Sequence, residues 1–216
     1  MKRRELIQGA AALGVLGTLG ALGALSPALA QDAGAFRKVR KEVPRSTPGK
    51  IDVVEFFWYG CIHCYNFEPK VNAWYKKLPS DVLFTKIPVV YQSQRVNFQG
   101  HQRLYYTLEA MGKLDTAHIK VFEAMHKDKK QLANDEQIFD FAESIGLKRE
   151  EFANVFKSFG VNAKCAQAKA IFEAYGADGV PTLGVDGKFF TAASIAGSEE
   201  NAIRVAEALI RRQRQA

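Results

Sequence analysis

The sequence predicts an α/β domain divided by an inserted block of helices, and three observations carry that expectation. Val53 to Tyr59 is an apolar run interrupted only by Glu55, and it stops at Gly60, immediately before a Cys-x-x-Cys pair, Cys61 and Cys64. From Asn97 to Gly160 the apolar residues recur at helical spacing with no strand signal among them. Beyond that block, Gly179 to Phe190 returns to strand character about Asp186-Gly187, a dipeptide that favours a hairpin turn. With 216 residues, 47% hydrophobic and 15 of them Phe, the chain can bury a core of ordinary size. Three cysteines could not build a disulfide scaffold, and such a core does not need one.

Taken in order, Met1 to Ala30 reads as an export signal. Lys2, Arg3 and Arg4 are its basic region, Gly9 to Leu25 its uncharged stretch, and Ala28-Leu29-Ala30 a small-x-small site that places cleavage after Ala30. A membrane anchor is the alternative, but the stretch is short, rich in Gly and Ala and ended by Ser26-Pro27. Lys2 to Gln8 resembles a twin-arginine signal; a Sec signal whose basic region holds two arginines is the preferred reading. Either route leads to a compartment where a disulfide can persist.

Gln31 to Lys50 is a polar lead-in with Pro44 and Pro48 and at most one short strand near Phe36. After the central strand comes a helix with Val71, Trp74, Tyr75 and Leu78 on one face, which Pro69 should kink. Val82 to Tyr91 is a second buried strand, with Pro88 at an edge or at its end. Four helices follow in the inserted block. Their stripes are Leu104, Tyr105, Leu108 and Met111; Ile119, Phe122 and Met125; Ile138, Phe141 and Ile145; and Phe152, Val155 and Phe156. Gly112, Gly146 and Gly160 are expected to stop helices there. A further helix, Val161 to Tyr175, ends at Gly176, and Ser198 starts the last one, with Ala202, Val205, Ala206 and Leu209 as its stripe. Arg211, Arg212 and Arg214 then sit where the helix dipole favours cations. The division is a cleaved signal over 1–30, one discontinuous domain over 31–96 and 161–216, and an inserted helical domain over 97–160.

The chain's chemistry is concentrated at the cysteine pair. A strand, a tight turn and a helix place Cys61 in the first helical turn, where unpaired N–H groups and the helix dipole favour a thiolate. Cys64, three residues on, is close enough for a disulfide but better covered. The competing readings are a static staple and a zinc half-site. Zinc needs four ligands, and only Cys165 and the dispersed His101, His118 and His126 remain, with no second pair at finger spacing. Cys165 falls on the stripe Val161, Cys165, Ala168 and Phe172, as a buried small hydrophobe would. The net charge of +7, of which +2 belongs to the first thirty residues, is scattered rather than gathered into a run, so no nucleic-acid partner is expected.

C-I-H-C after an apolar strand, a Gly-Val-Pro-Thr strand start more than a hundred residues later and the helical block between them resemble the thioredoxin superfamily, and within it the DsbA family of periplasmic thiol:disulfide oxidoreductases. The resemblance covers about Val53 to the C-terminus and implies an α/β, thioredoxin-like fold with an inserted all-helical domain. It implies that Cys61 is the interchange cysteine and Cys64 its resolving partner, with His63 stabilising the thiolate. It implies further that Val180-Pro181 is a cis-proline loop facing the cysteines, and that Glu55 is a buried proton acceptor for Cys64. Lys86 in the neighbouring strand is a candidate partner for Glu55. Where the family often has Pro-His between the cysteines, this chain has Ile62-His63, which restores a backbone N–H.

The expected activity is therefore donation of the Cys61–Cys64 disulfide to unfolded or newly translocated cysteine-containing proteins in the periplasm. Trp58, Ile62 and Val180 are expected to line an apolar substrate groove, and a membrane quinone reductase of the DsbB type to re-oxidise the pair. No bound cofactor and no metal are expected, the redox centre being the disulfide itself, and the protein is expected to be a monomer. The alternatives are a reductase or isomerase on the same fold and a peptide-binding chaperone with an incidental disulfide.

Overall fold

The computed structural model describes residues 34–93 and 95–216, so the export-signal expectation lies outside the described residues. Five strands form one mixed sheet in the order β1-β5-β4-β2-β3. They are β1 (Arg37–Lys38), β2 (Ile51–Phe57), β3 (Val82–Pro88), β4 (Thr182–Val185) and β5 (Phe189–Thr191). β2 runs parallel to β3 and antiparallel to β4, with Glu55 opposite Lys86 on one side and Leu183 on the other. Six of the seven β2 residues are buried. Such a two-faced apolar strand is what a sheet covered by helices on both sides requires. Ile51 and Val53 pack with Val71 and Trp74 of helix α1 (Ile62–Tyr75) and with Val205 and Leu209 of the C-terminal helix. Val54 and Phe56 face the other way, into a core shared with the helical block.

That block consists of α2 (Phe98–Ala110), α3 (Leu114–His126), α4 (Asp135–Ser144) and α5 (Arg149–Phe156), followed by α6 (Phe159–Tyr175), a short α7 (Ala193–Ala196) and α8 (Glu199–Arg214). Two expectations need correction. Gly160 does not stop a helix: it lies inside α6, because Ser158 accepts from the Val161 N–H and so starts the helix ahead of it. In α3 the buried stripe is not led by Ile119, which is exposed, but by Ala117, His118, Val121 and Phe122. A purely apolar period misses a stripe that includes a histidine.

α1 continues through Pro69 to Tyr75 as one helix. The strand near Phe36 and the cap of α8 by Ser198, whose Oγ accepts from Asn201 N–H at 3.1 Å, match the sequence pattern. β3, however, ends at Pro88 rather than Tyr91 and, as the edge strand of the sheet, buries only Ile87 and Pro88. Among the described residues no helix is long and apolar enough to cross a membrane.

The β4–β5 turn is closed by Lys188 N–H donating to Val185 C=O at 3.1 Å, with φ of +54° at Asp186 and +62° at Gly187. Two successive positive φ values explain the Asp-Gly dipeptide. The Val43 carbonyl also lies where a Cβ on residue 187 would sit. Gly187→Ala is therefore expected to cost about 1–3 kcal/mol of stability in urea denaturation, against a change within about 0.5 kcal/mol for an exposed site such as Lys169→Ala.

Candidate active site

The site forms where β2 delivers Trp58, Tyr59 and Gly60 to the start of α1. Cys61 is the N-cap of that helix rather than a residue of its first turn, in an extended conformation with its N–H donating to Trp58 C=O at 3.0 Å. Its sulfur is half-buried; that of Cys64, one turn deeper, is fully buried, and both are free thiols. A hydrogen bond from Cys64, the backbone N–H groups of Cys64 and His63, and the charge of His63 together lower the Cys61 pKa from 9.0 to about 6, with burial opposing them. Cys64 moves the other way: burial, and then its hydrogen bond and repulsion with Cys61, push its thiol far up. The two sulfurs are thus separated in exposure and in acidity by three residues of one helix.

Facing them is the Val180–Pro181 segment, joined by a cis peptide bond, with Cys61 Sγ donating to Val180 C=O at 3.5 Å. Ile62 and His63 are exposed beside Cys61, Ile62 at 48%. Trp58, the third residue expected in the groove, is held from the side of the helical block. It packs against Phe98 with ring centroids 4.5 Å apart and the planes tilted by 42°, and lines a cavity in which neither Ile62 nor Val180 takes part. Its indole N–H requires an acceptor, and the nearest one is on α2.

Beneath the cysteines lies a buried charged cluster. Lys86 Nζ bridges Glu55 Oε2 at 2.6 Å and Glu68 Oε2 at 2.8 Å. Burial, and then repulsion from Glu68, raise Glu55 to about 7 against the pull of Lys86. Burial would raise Glu68 too, but His118 and Lys86 outweigh it and hold that carboxyl low, near 2. Glu55 Oε1 is buried with no hydrogen-bond partner among the described residues, and the Glu55 charge is felt at Cys64.

A match to the family described as "DSBA-like thioredoxin domain" spans residues 83–201, which begins beyond the cysteine pair. The thiol:disulfide interchange protein DsbA of Azotobacter vinelandii covers the pair as well: it is 41% identical over 215 residues, 99% of each chain. The chain belongs to the DsbA family. The DsbA of Pseudomonas syringae pv. tomato is 42% identical over 174 residues, 81% of this chain and 80% of its own. The crystal structure of Pseudomonas aeruginosa DsbA superposes with a TM-score of 0.80 at 39% identity, over 85% of this chain and 94% of that one.

Several residues of this DsbA-family site escaped the sequence reading. Glu68 lies on α1 one turn past Cys64 and could have been found as an acid on the helix face that carries Phe67 and Val71. The three histidines read as dispersed converge on Trp58 and Tyr59. Trp58 Nε1–H donates to His101 Nδ1 at 3.0 Å, Tyr59 OH pairs with His118 Nδ1 at 2.8 Å, and His126 Nε2 donates to Tyr59 C=O at 2.8 Å. No local pattern announces this, because α2 and α3 reach the loop only in three dimensions. Cys165 is half-buried rather than fully buried, and burial raises its thiol to about 11.

The Cys61 shift makes the stability of the reduced protein depend on pH. The thiol ionises near 9.0 when unperturbed and near 6 in the fold, so between those values the unfolded chain holds more protons. Reduced-state stability therefore rises as pH goes from about 6 towards 9 and is lost as pH falls back through 6. Cys64, whose folded pKa is raised, contributes only above the ordinary thiol range. Glu55 acts oppositely, losing stability between 4.5 and about 7, but in both redox forms, so it cancels in a difference. The melting temperature of the reduced protein minus that of the oxidised protein should widen from pH 5.5 to pH 8.5. A constant gap would mean that Cys61 is not ionised in the fold.

Proposed function

We propose that this protein is a thiol:disulfide interchange enzyme that oxidises pairs of thiols in newly exported polypeptides. The observation that carries the reading is the opposed pair of sulfurs, an accessible Cys61 with pKa lowered to about 6 over a buried Cys64 whose pKa is raised. The names of the relatives support it.

In the oxidised enzyme a substrate thiolate attacks Cys61 Sγ, since Cys64 is covered. The S–S bond breaks and Cys64 leaves as a thiolate that its surroundings disfavour. Glu55, with a pKa raised to about 7, gives it a proton. A second substrate thiolate then attacks the substrate sulfur of the mixed disulfide, a substrate disulfide forms, and Cys61 leaves as a thiolate stabilised by the helix start and His63. The substrate loses two electrons and the enzyme holds them as a dithiol. In re-oxidation Glu55 takes the Cys64 proton back. Ile62, Val180 and Pro181 form the surface beside Cys61 over which the substrate chain lies, and Trp58 borders it on the other side.

Export to the periplasm through the signal over 1–30, and re-oxidation by a membrane quinone reductase of the DsbB type, complete the reading by family membership. The test is the redox equilibrium of Cys61–Cys64 against glutathione buffers, followed by Trp fluorescence, together with oxidation of a dithiol peptide. The dithiol should be strongly favoured and the peptide should be oxidised. A strongly reducing pair that leaves the peptide reduced would make this a reductase or a protein with an inert staple.

A further inference from the structure

A cavity of about 450 Å³ opens beside Gly60, the residue before Cys61, between the active-site loop and the helical block. Its walls include Trp58, His101 and His126, and its rim carries Arg95 and Lys130. These walls are fixed. His101 accepts from Trp58 on Nδ1, and its Nε2 bonds the carbonyls of Gln131 at 3.2 Å and Leu132 at 3.1 Å. That second anchor holds a segment in which Lys129 and Leu132 adopt φ of +59° and +49°, a left-handed conformation that side chains larger than glycine rarely take and that recurs at ligand-binding sites. His126 is held by Tyr59 C=O and lies flat on Tyr65, 5.1 Å and 6° between the rings.

The rim, by contrast, carries unpaired charge. Arg95 and Lys130 are exposed, and among the described residues neither side chain has a carboxylate within ion-pair distance. Lys127, next along, is already paired with Glu123 at 2.8 Å. Asp128 is the one acid between residues 126 and 130, and it does not line the cavity. Two unpaired cations over a concave, preorganised wall focus a positive potential next to the reacting sulfur.

Resting on the interchange reading, we infer that this cavity is a subsite for an acidic stretch of the substrate polypeptide, a few residues from the cysteine that attacks Cys61. One arm of the substrate then lies along Val180–Pro181. The other crosses Gly60, and its carboxylates meet Arg95 and Lys130. Rim charges of this kind act mainly on the rate of encounter and on its salt dependence.

The test compares two dithiol peptides of equal length whose cysteines are flanked by Glu in one and by Lys in the other. It uses the wild-type protein, Arg95→Glu/Lys130→Glu, and a control, Lys77→Glu/Arg211→Glu, with the same charge change beyond the far end of α1. In the wild type, kcat/KM should favour the acidic peptide by about tenfold at low salt, and the preference should shrink as salt is added. The cavity variant should lose or invert the preference while the control keeps it. Any shift of its redox equilibrium with glutathione, from the positive potential lost at Cys61, acts on both peptides alike and leaves the preference as the readout. An equal preference in the cavity variant and the wild type, or an equal loss in the control, would overturn the subsite. Failure of the wild type to oxidise either peptide would instead overturn the interchange reading on which it rests.

Discussion

Replacing Cys64 with alanine is expected to leave a protein that, given an excess of two peptides joined by one intermolecular disulfide, captures about one equivalent of one peptide and holds it, because the other diffuses away. In the reduced variant the Cys61 thiolate attacks the peptide disulfide, forms the mixed disulfide and expels one peptide thiolate. In the wild type the Cys64 sulfur, one helical turn away, then displaces the peptide, an intramolecular step whose effective concentration far exceeds that of any solution thiol. Without it the adduct should live roughly 10³ times longer or more. Cys61→Ser should form no adduct and should oxidise no dithiol peptide. Mass spectrometry before and after dithiothreitol reads both outcomes; an adduct on Cys64 in Cys61→Ser would overturn the assignment of roles. The lowered pKa decides which half of the cycle benefits. At pH 7 a thiol with pKa about 6 instead of 9.0 has roughly ninety times more thiolate. Its weaker nucleophilicity gives back roughly twentyfold of that, so attack gains only severalfold. The same acidity makes Cys61 a better leaving group from the mixed disulfide and stabilises the dithiol. Both favour an enzyme that gives its disulfide away.

Much of this was legible in the sequence because it depends on short-range patterns. An apolar strand stopping at a glycine before a cysteine pair specifies β2, the loop and the start of α1. Asp186-Gly187 specifies the last hairpin, and Ser198 specifies the start of α8. The acid in the middle of β2 is visible because Glu55 breaks an apolar run, and register with β3 puts Lys86 opposite it. What was not legible depends on packing between elements. His118 is one of the buried residues of α3, but a histidine does not count towards an apolar period, so Ile119 was read as facing the core in its place. Trp58 was read as substrate surface because an aromatic beside a reactive cysteine fits that use. Its indole N–H also engages His101, 43 residues away, a contact that no local pattern shows. Gly160 looks like a helix stop in the sequence, but Ser158 two residues earlier is the stronger signal, because its side chain caps a helix that runs through the glycine.

Lys86→Met should be the most damaging substitution outside the cysteines for stability. Lys86 is the sole cation bonded to both Glu55 and Glu68 among the described residues, and their side chains are only 1% and 2% exposed. Removing one partner of a buried ionic cluster typically costs about 3–5 kcal/mol, because the remaining charges stay desolvated without compensation. Here two carboxylates would be left facing each other at pH 8, with only His118, whose own pKa burial lowers, 3.4 Å from Glu68. The loss should depend on pH. Glu55 is already raised to about 7, and without Lys86 it rises further. A carboxyl whose folded pKa lies above its unfolded value adds stability below the unfolded value and loses it as pH climbs through the folded one. The variant should therefore come close to the wild type near pH 5 and fall furthest behind it at pH 8, by denaturant melts at each pH. Adding Glu55→Gln to Lys86→Met removes one of the two unpaired charges and should restore more than half of the loss, a coupling expected of neighbours in one network. A loss equal at pH 5 and pH 8 and unrelieved by Glu55→Gln would instead place the role of Lys86 in packing of its alkyl chain against Phe84, over whose ring its ammonium lies at 5.8 Å.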